Sequence, residues 1–409
     1  MRPPSPPSPE PTGRTERAER DEHRGHASRP AEARPAERRP SAISGYEDWP
    51  AFLRSAPVIA GDEQTTRLGG LLGAPTPRPL TAGQARVVRT WKDDGVVGTE
   101  LEWQTGFGPP TRAWRLAPAD ASPDTPLPGV LALHCHAGVK WVGADRLVRT
   151  PWSTPEAERV RASSYEGRSA ATDLARRGFV VLAHDTFAWG SRRVTFDPPP
   201  WRTRDTLDLH DEVWAARSHV PTEAERYDAA AAQHESTLAK AAGLLGTSFA
   251  GTVAHDDLAA LGVLSSMPDV DAGRLGVVGF SGGGGRAAVL AHLDPRVRAS
   301  VVVCMMTTFD SLVPAYLDAH SWLLQTPGLA RELDWPDVAA ARAAHHQLVI
   351  SAEDDALFPR DGMHDADARL AELFAAGPGS HTGVFVPGPH RFDAAMQATA
   401  GEFLTAHLG

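Results

Sequence analysis

Ser281 lies in the stretch LGVVGFSGGGG (275 to 285), where a short apolar run meets Gly279-Phe280-Ser281-Gly282-Gly283. This is G-x-S-x-G between a predicted strand, Leu275 to Val278, and a predicted helix, Arg286 to Leu293. A tight strand-to-helix turn with small residues two before and two after a serine holds its hydroxyl clear of the sheet. A serine hydroxyl is a weak nucleophile at neutral pH and needs a base, which in turn needs an orienting acid. Behind such an elbow the partners follow in the order acid, then histidine. The acids stand in Glu353-Asp354-Asp355, just past the apolar strand Gln347 to Ile350. A solvated turn would also carry three acids, and Asp354 and Asp355 compete for the role. The histidine is His390, in Val386-Pro387-Gly388-Pro389-His390-Arg391-Phe392, after a short strand and before the last predicted helix. The chain has 17 histidines, so position selects it. His381 precedes the same strand, at the opposite edge of a sheet.

Acyl transfer also needs two backbone N–H groups for the oxyanion. One belongs to the residue after the nucleophile and one to the loop after an earlier strand. These are Gly282 and, in His134-Cys135-His136-Ala137-Gly138 after the strand Val130 to Leu133, His136, with Cys135 as the alternative. His134 and His136 alternate as a zinc pair would. A third ligand such as His184 does not stand at ligand spacing, so no metal is expected.

These residues require a scaffold that brings strand ends together. Residues 96 to 105 and 111 to 117 alternate apolar and polar residues around Gly-Pro-Pro and read as an antiparallel pair. Then come strands Val130 to Leu133, Phe179 to Ala183, Leu275 to Val278, Ala299 to Val303, Gln347 to Ile350 and Val384 to Val386. Helical segments separate most of them, including Ser164 to Arg177 and a largely helical 224 to 266. Eight strands alternating with helices predict a mainly parallel α/β sheet with helices on both faces. Residues 44 to 95 are an N-terminal cap segment of the domain 44 to 409. Residues 194 to 223, with Trp201, Trp214, His210 and several prolines, fit neither pattern and form a candidate lid. Trp141, Phe187, Trp189 and Trp201 are candidates for an apolar pocket or for core.

Residues 1 to 43 are rich in Pro, Arg, Glu, Ser and Ala. Up to residue 40 they hold nine Arg and seven Asp or Glu. Such a segment buries too little to offset its ordering entropy and reads as a disordered tail. Its charges nearly cancel, unlike a nucleic-acid arm. Net charge −10 across 409 residues also argues against a nucleic-acid partner. No apolar run reaches the roughly 18 residues a membrane span needs, and no secretory h-region stands at the start. A cytoplasmic protein is expected, and composition carries no sign of oligomeric state. Two cysteines, Cys135 and Cys304, cannot make a disulfide framework and read as unbridged buried thiols.

With these residues in view, the chain from about 125 onward resembles the α/β-hydrolase superfamily, and within it the dienelactone hydrolase and acetyl-xylan-esterase-like branch. The resemblance rests on LALHCHAGVKW (131 to 141), FVVLAHDTFAWGSRR (179 to 193), VGFSGGGGRAA (278 to 288), ISAEDDALFPRDGM (350 to 363) and VPGPHRFDAAMQ (386 to 397). It implies Ser281 as nucleophile, His390 as base and Asp355 as acid, since Pro359 then falls four residues on, a spacing familiar in the superfamily. Two features depart from the pattern. Relatives often carry His-Gly or Gly-Gly in the oxyanion loop, and dienelactone hydrolases use a cysteine nucleophile. Serine at 281 points to esterase chemistry: hydrolysis of a small-molecule carboxylic ester through an acyl-enzyme, with no cofactor. An amidase, thioesterase or acyltransferase would use the same triad. A non-catalytic binding protein on this fold would not need one.

Overall fold

The computed structural model describes residues 39–341 and 343–409; residues 1 to 38, the bulk of the expected tail, lie outside them. Nine strands form one sheet: β1 (Arg86–Asp93), β2 (Val96–Trp103), β3 (Thr111–Pro118), β4 (Leu127–Leu133), β5 (Val180–His184), β6 (Val270–Phe280), β7 (Val297–Val303), β8 (His346–Ala352) and β9 (Ser380–Val386). Their order across the sheet is β1-β2-β3-β5-β4-β6-β7-β8-β9. The pairs from β1 to β5 are antiparallel, and every pair from β5 to β9 is parallel. β5, β7 and β8 are buried almost throughout, as strands covered on both faces must be.

The ninth strand corrects the expected eight. It is β1, at the sheet edge and inside the segment expected as a cap. Among its residues Trp91 alone is buried, so no alternation marks it. Its signal is Asp94-Gly95, with φ of 41° and 76°. That pair suits the two-residue turn that a twisted hairpin prefers. A second correction concerns the helix expected from Ser164 to Arg177. It is two helices, Pro155–Ser164 and Ala170–Arg176, separated where Glu166 and Gly167 turn left-handed at 53° and 72°. The tail boundary also moves, because residues 40 to 43 belong to the body: His234 Nε2 bonds the Ala42 carbonyl at 2.8 Å, and Ile43 packs on an aromatic cluster.

Helices Glu63–Leu72, Phe249–Ser265 and Gly282–Leu293 cover one face of the sheet; Pro155–Ser164, Ala170–Arg176 and Ala394–Leu408 cover the other. Gly282–Leu293 is buried on all sides, which explains why it shows no amphipathic stripe. Because β4, β6, β7, β8 and β9 run parallel, their carboxyl ends share one edge, where sites on such sheets form. Strand β6 lies between β4 and β7, and Cys135 and Cys304 are both free and buried.

Candidate active site

Ser281 follows β6 with φ 56° and ψ −127°, a strained conformation for a residue with a side chain. Its N–H donates to the Val303 carbonyl at 2.8 Å. Two glycines make the turn sterically possible. A Cβ on Gly279 would stand 2.0 Å from the Gly283 carbonyl oxygen, and one on Gly283 2.1 Å from that of Leu133. The elbow therefore needs the smallest residue at both flanking positions.

Asp355 leaves β8 and is buried. Its Oδ2 lies 2.6 Å from His390 Nδ1, and its Oδ1 accepts the Leu357 N–H at 2.9 Å. Asp354 is exposed; it accepts the Gly388 N–H at 2.9 Å and so pins the histidine loop without touching the ring. Glu353 pairs with Arg360. The His390 ring packs on Phe280, with centroids 4.8 Å apart. His381 falls inside β9 and bonds Asp367 at 2.7 Å.

Ser281, Gly282, His136 and His390 line one cavity of about 180 Å³. Its remaining walls are mainly apolar, including Met305, Leu323, Leu324 and Phe358. Among the described residues, no hydrogen bond joins Ser281 to His390; such bonds commonly tighten only around substrate. The cavity roof, residues 319 to 324, comes from the β7–β8 connection. Residues 194 to 223 contribute no lining residue; they carry the helix Trp201–Ala216. The aromatic candidates are also elsewhere. Phe187 and Trp189 belong to a buried aromatic core, Trp201 is half exposed, and Trp141 lines a separate cavity.

The two oxyanion candidates meet. A Cβ on Gly282 would stand 3.2 Å from the His136 backbone nitrogen. Gly282 begins its helix, so its N–H has no intrahelical acceptor. The Cys135 N–H is engaged by the Tyr165 hydroxyl at 3.3 Å. His136 Nδ1 accepts the Gly138 N–H at 2.9 Å, which leaves Nε2 to donate to Glu235 Oε2 at 2.9 Å. His134 turns away from a shared ligand position. It is buried and bonds the Cys135 carbonyl, and burial with Arg286 and Arg146 nearby holds its ring well below the usual histidine pKa.

Two further buried side chains, which the sequence does not mark as part of a site, hold this loop in place. Arg146, fully buried, spans the loop by donating to the carbonyls of Cys135 at 3.1 Å, Val139 at 2.8 Å and Gly143 at 2.9 Å. Glu235 holds His136, pairs with Lys140 Nζ at 2.6 Å, and accepts from the Ser321 hydroxyl and the Trp322 N–H. Burial would raise its carboxyl; Lys140 and His136 outweigh that and hold it well below the usual carboxylate range. It joins the loop of residues 134 to 138 to the cavity roof. The available signal was an acid in the apolar stripe Ala231, Leu238, Ala242 of one helix.

The model of the dienelactone hydrolase family matches residues 165–372, just over half of the chain and inclusive of Ser281 and Asp355. The chain belongs to the dienelactone hydrolase family. A dienelactone is a cyclic ester, and this dienelactone hydrolase family member is an enzyme of the carboxylic ester hydrolase type. YtaP of Bacillus subtilis (strain 168), a hydrolase by designation, is 24% identical over 315 residues, 76% of this chain and 87% of that one. Two solved structures share the fold. One, from Bacteroides fragilis NCTC 9343 and assigned as an acetyl xylan esterase, has a TM-score of 0.55 at 16% identity, covering 82% of this chain and 80% of its own. The other, the glucuronoyl esterase from Solibacter usitatus, has a TM-score of 0.52 at 15% identity, covering 92% and 99%. No helix among the described residues of this family member is long and apolar enough to cross a membrane.

Proposed function

We propose that the protein hydrolyses a small carboxylic ester through an acyl-enzyme on Ser281. The observation that carries this reading is the Asp355–His390 contact at 2.6 Å, made at the rim of the cavity that holds the strained Ser281. Asp355 accepts from Nδ1–H, so His390 Nε2 is the basic nitrogen. It takes the Ser281 proton as Oγ attacks the carbonyl and returns it to the leaving alcohol. The N–H groups of Gly282 and His136 receive the oxyanion, supported by their proximity and by the prior engagement of Cys135. Water then attacks the ester of Ser281, with His390 again as base.

The cavity's size favours a short acyl group. Across p-nitrophenyl esters of graded length, kcat/KM is expected to fall from acetate or propionate toward octanoate, as Leu323 and Leu324 of the roof close over the cavity. Ser281→Ala is expected to remove turnover by on the order of 10⁶ in kcat with the melting temperature nearly unchanged. A fluorophosphonate should label Ser281 and be located there by peptide mass spectrometry. Turnover above a few per cent in the alanine variant would overturn the nucleophile assignment.

A further inference from the structure

Cys304 has no part in this chemistry and is not among the cavity's lining residues, yet it stands against the acid–base pair. Its Sγ, a carboxylate oxygen of Asp355 and a ring nitrogen of His390 all lie within 4.8 Å of one another. The position is built. Cys304 follows β7 with φ 48°, its N–H donates to the Ile350 carbonyl at 2.7 Å, and its Sγ is 3.6 Å from the Arg391 carbonyl. Three side chains from three separate strand ends thus offer sulfur, oxygen and nitrogen at one point. Thiolate, imidazole and carboxylate are the donors zinc takes, and three protein ligands with one open position are a familiar set.

We propose that Cys304, Asp355 and His390 form an inhibitory site for zinc or a similar borderline divalent cation. The ion takes the place of the proton between Asp355 and His390 Nδ1 and is held further by the Cys304 thiolate. The thiol proton leaves to solvent, and the ring proton moves from Nδ1 to Nε2, so the imidazole stays neutral. Two negative ligands balance a dication, so the pocket gains no uncompensated charge. In a tetrahedral site the donors stand roughly 3.3–3.6 Å apart, given metal–ligand bonds of about 2.0–2.3 Å. The Asp355–His390 pair at 2.6 Å therefore opens by about 1 Å or less while Sγ closes in. The partly exposed His390 gives the ion a way in, and a solvent molecule takes the fourth position. With the cation on Nδ1 and the proton on Nε2, the ring has no free lone pair, so His390 ceases to act as a base. This inhibition rests on the proposed role of His390; occupancy of the site does not.

The two are separated by measuring both on the full-length protein freed of metal with a chelator. Zinc ions are expected to inhibit ester hydrolysis, with recovery on adding EDTA. Cys304→Ala should turn over without metal much as the parent does and resist zinc by at least about tenfold, a loss that even outer-shell changes can bring. Cobalt(II) reads the site without turnover: the parent should develop a thiolate-to-cobalt charge-transfer band in the near ultraviolet. Cys304→Ser, close in size to the parent, should lack it. Equal zinc sensitivity of the parent and Cys304→Ala, or no cobalt–thiolate band in the parent, overturns the proposal. A band without inhibition would keep the metal site and sink the role given to His390.

Discussion

Asp354 and Asp355 are chemically identical neighbours, and the loop gives them different work. Asp355 has one carboxylate oxygen on a backbone N–H and the other on His390. Asp354 is exposed and holds Gly388. Asp355→Asn is expected to lower kcat by about 10⁴, because an amide N–H facing Nδ1 selects the wrong imidazole tautomer. Asp354→Asn keeps an acceptor for Gly388 and is expected to stay within about tenfold, since one neutral hydrogen bond is worth about 1 kcal/mol. Steady-state kinetics on p-nitrophenyl acetate checks both, and a reversed order would transfer the role to Asp354. Cys135 and His136 present the same lesson. Either backbone N–H suits an oxyanion by sequence, and the hydroxyl of Tyr165, some thirty residues on, occupies the first.

At the scale of elements, the site is held by buried charge between helices and loops. Arg286, on the helix after Ser281, pairs with Asp257 at 2.6 Å and donates to the His134 carbonyl at 3.3 Å. That joins the helix after Ser281 to the loop of residues 134 to 138. Glu235 performs a similar task between the loop and the roof. Lys140 is 3% exposed, so removing its partner leaves a buried, unpaired ammonium. Glu235→Ala is expected to cost about 3–5 kcal/mol in urea unfolding. The double variant Glu235→Ala/Lys140→Ala should cost clearly less than the sum of the two single changes, because neither charge is then stranded. Strict additivity would show that the pair does not interact.

For the whole molecule, the docking of residues 40 to 43 has a pH signature. His234 is buried at 1% exposure against the Ala42 carbonyl, and burial pushes its pKa down to about 4 from 6.5. Between those values the unfolded chain binds a proton that the folded protein refuses. Its contribution is therefore complete above about pH 6.5 and is lost as pH falls toward about 4, a change of about 3 kcal/mol. Asp145 acts in the opposite sense, since burial and the nearby Asp185 raise it from 3.8 to about 6. It takes up a proton in the folded state first and adds stability over the same fall. His234→Gln isolates the first effect. From pH 7 to pH 4 the parent is expected to lose up to about 3 kcal/mol more than the variant. Equal losses would mean that His234 is protonated in the folded protein.

The elbow and the run of parallel strands were legible because each is written in a few contiguous residues. Small residues flank a serine, apolar runs end in loops, and the signal stays local. Strand β1 was hidden because its side chains face water and carry no period. The roof at 319 to 324, the hub at Glu235 and the place of Cys304 were decided by the tertiary structure alone. Each depends on distances between residues far apart in the chain, and those distances are set by sheet order and register. Parallel pairing puts the ends of β7, β8 and β9 side by side, and only then do Cys304, Asp355 and His390 become neighbours.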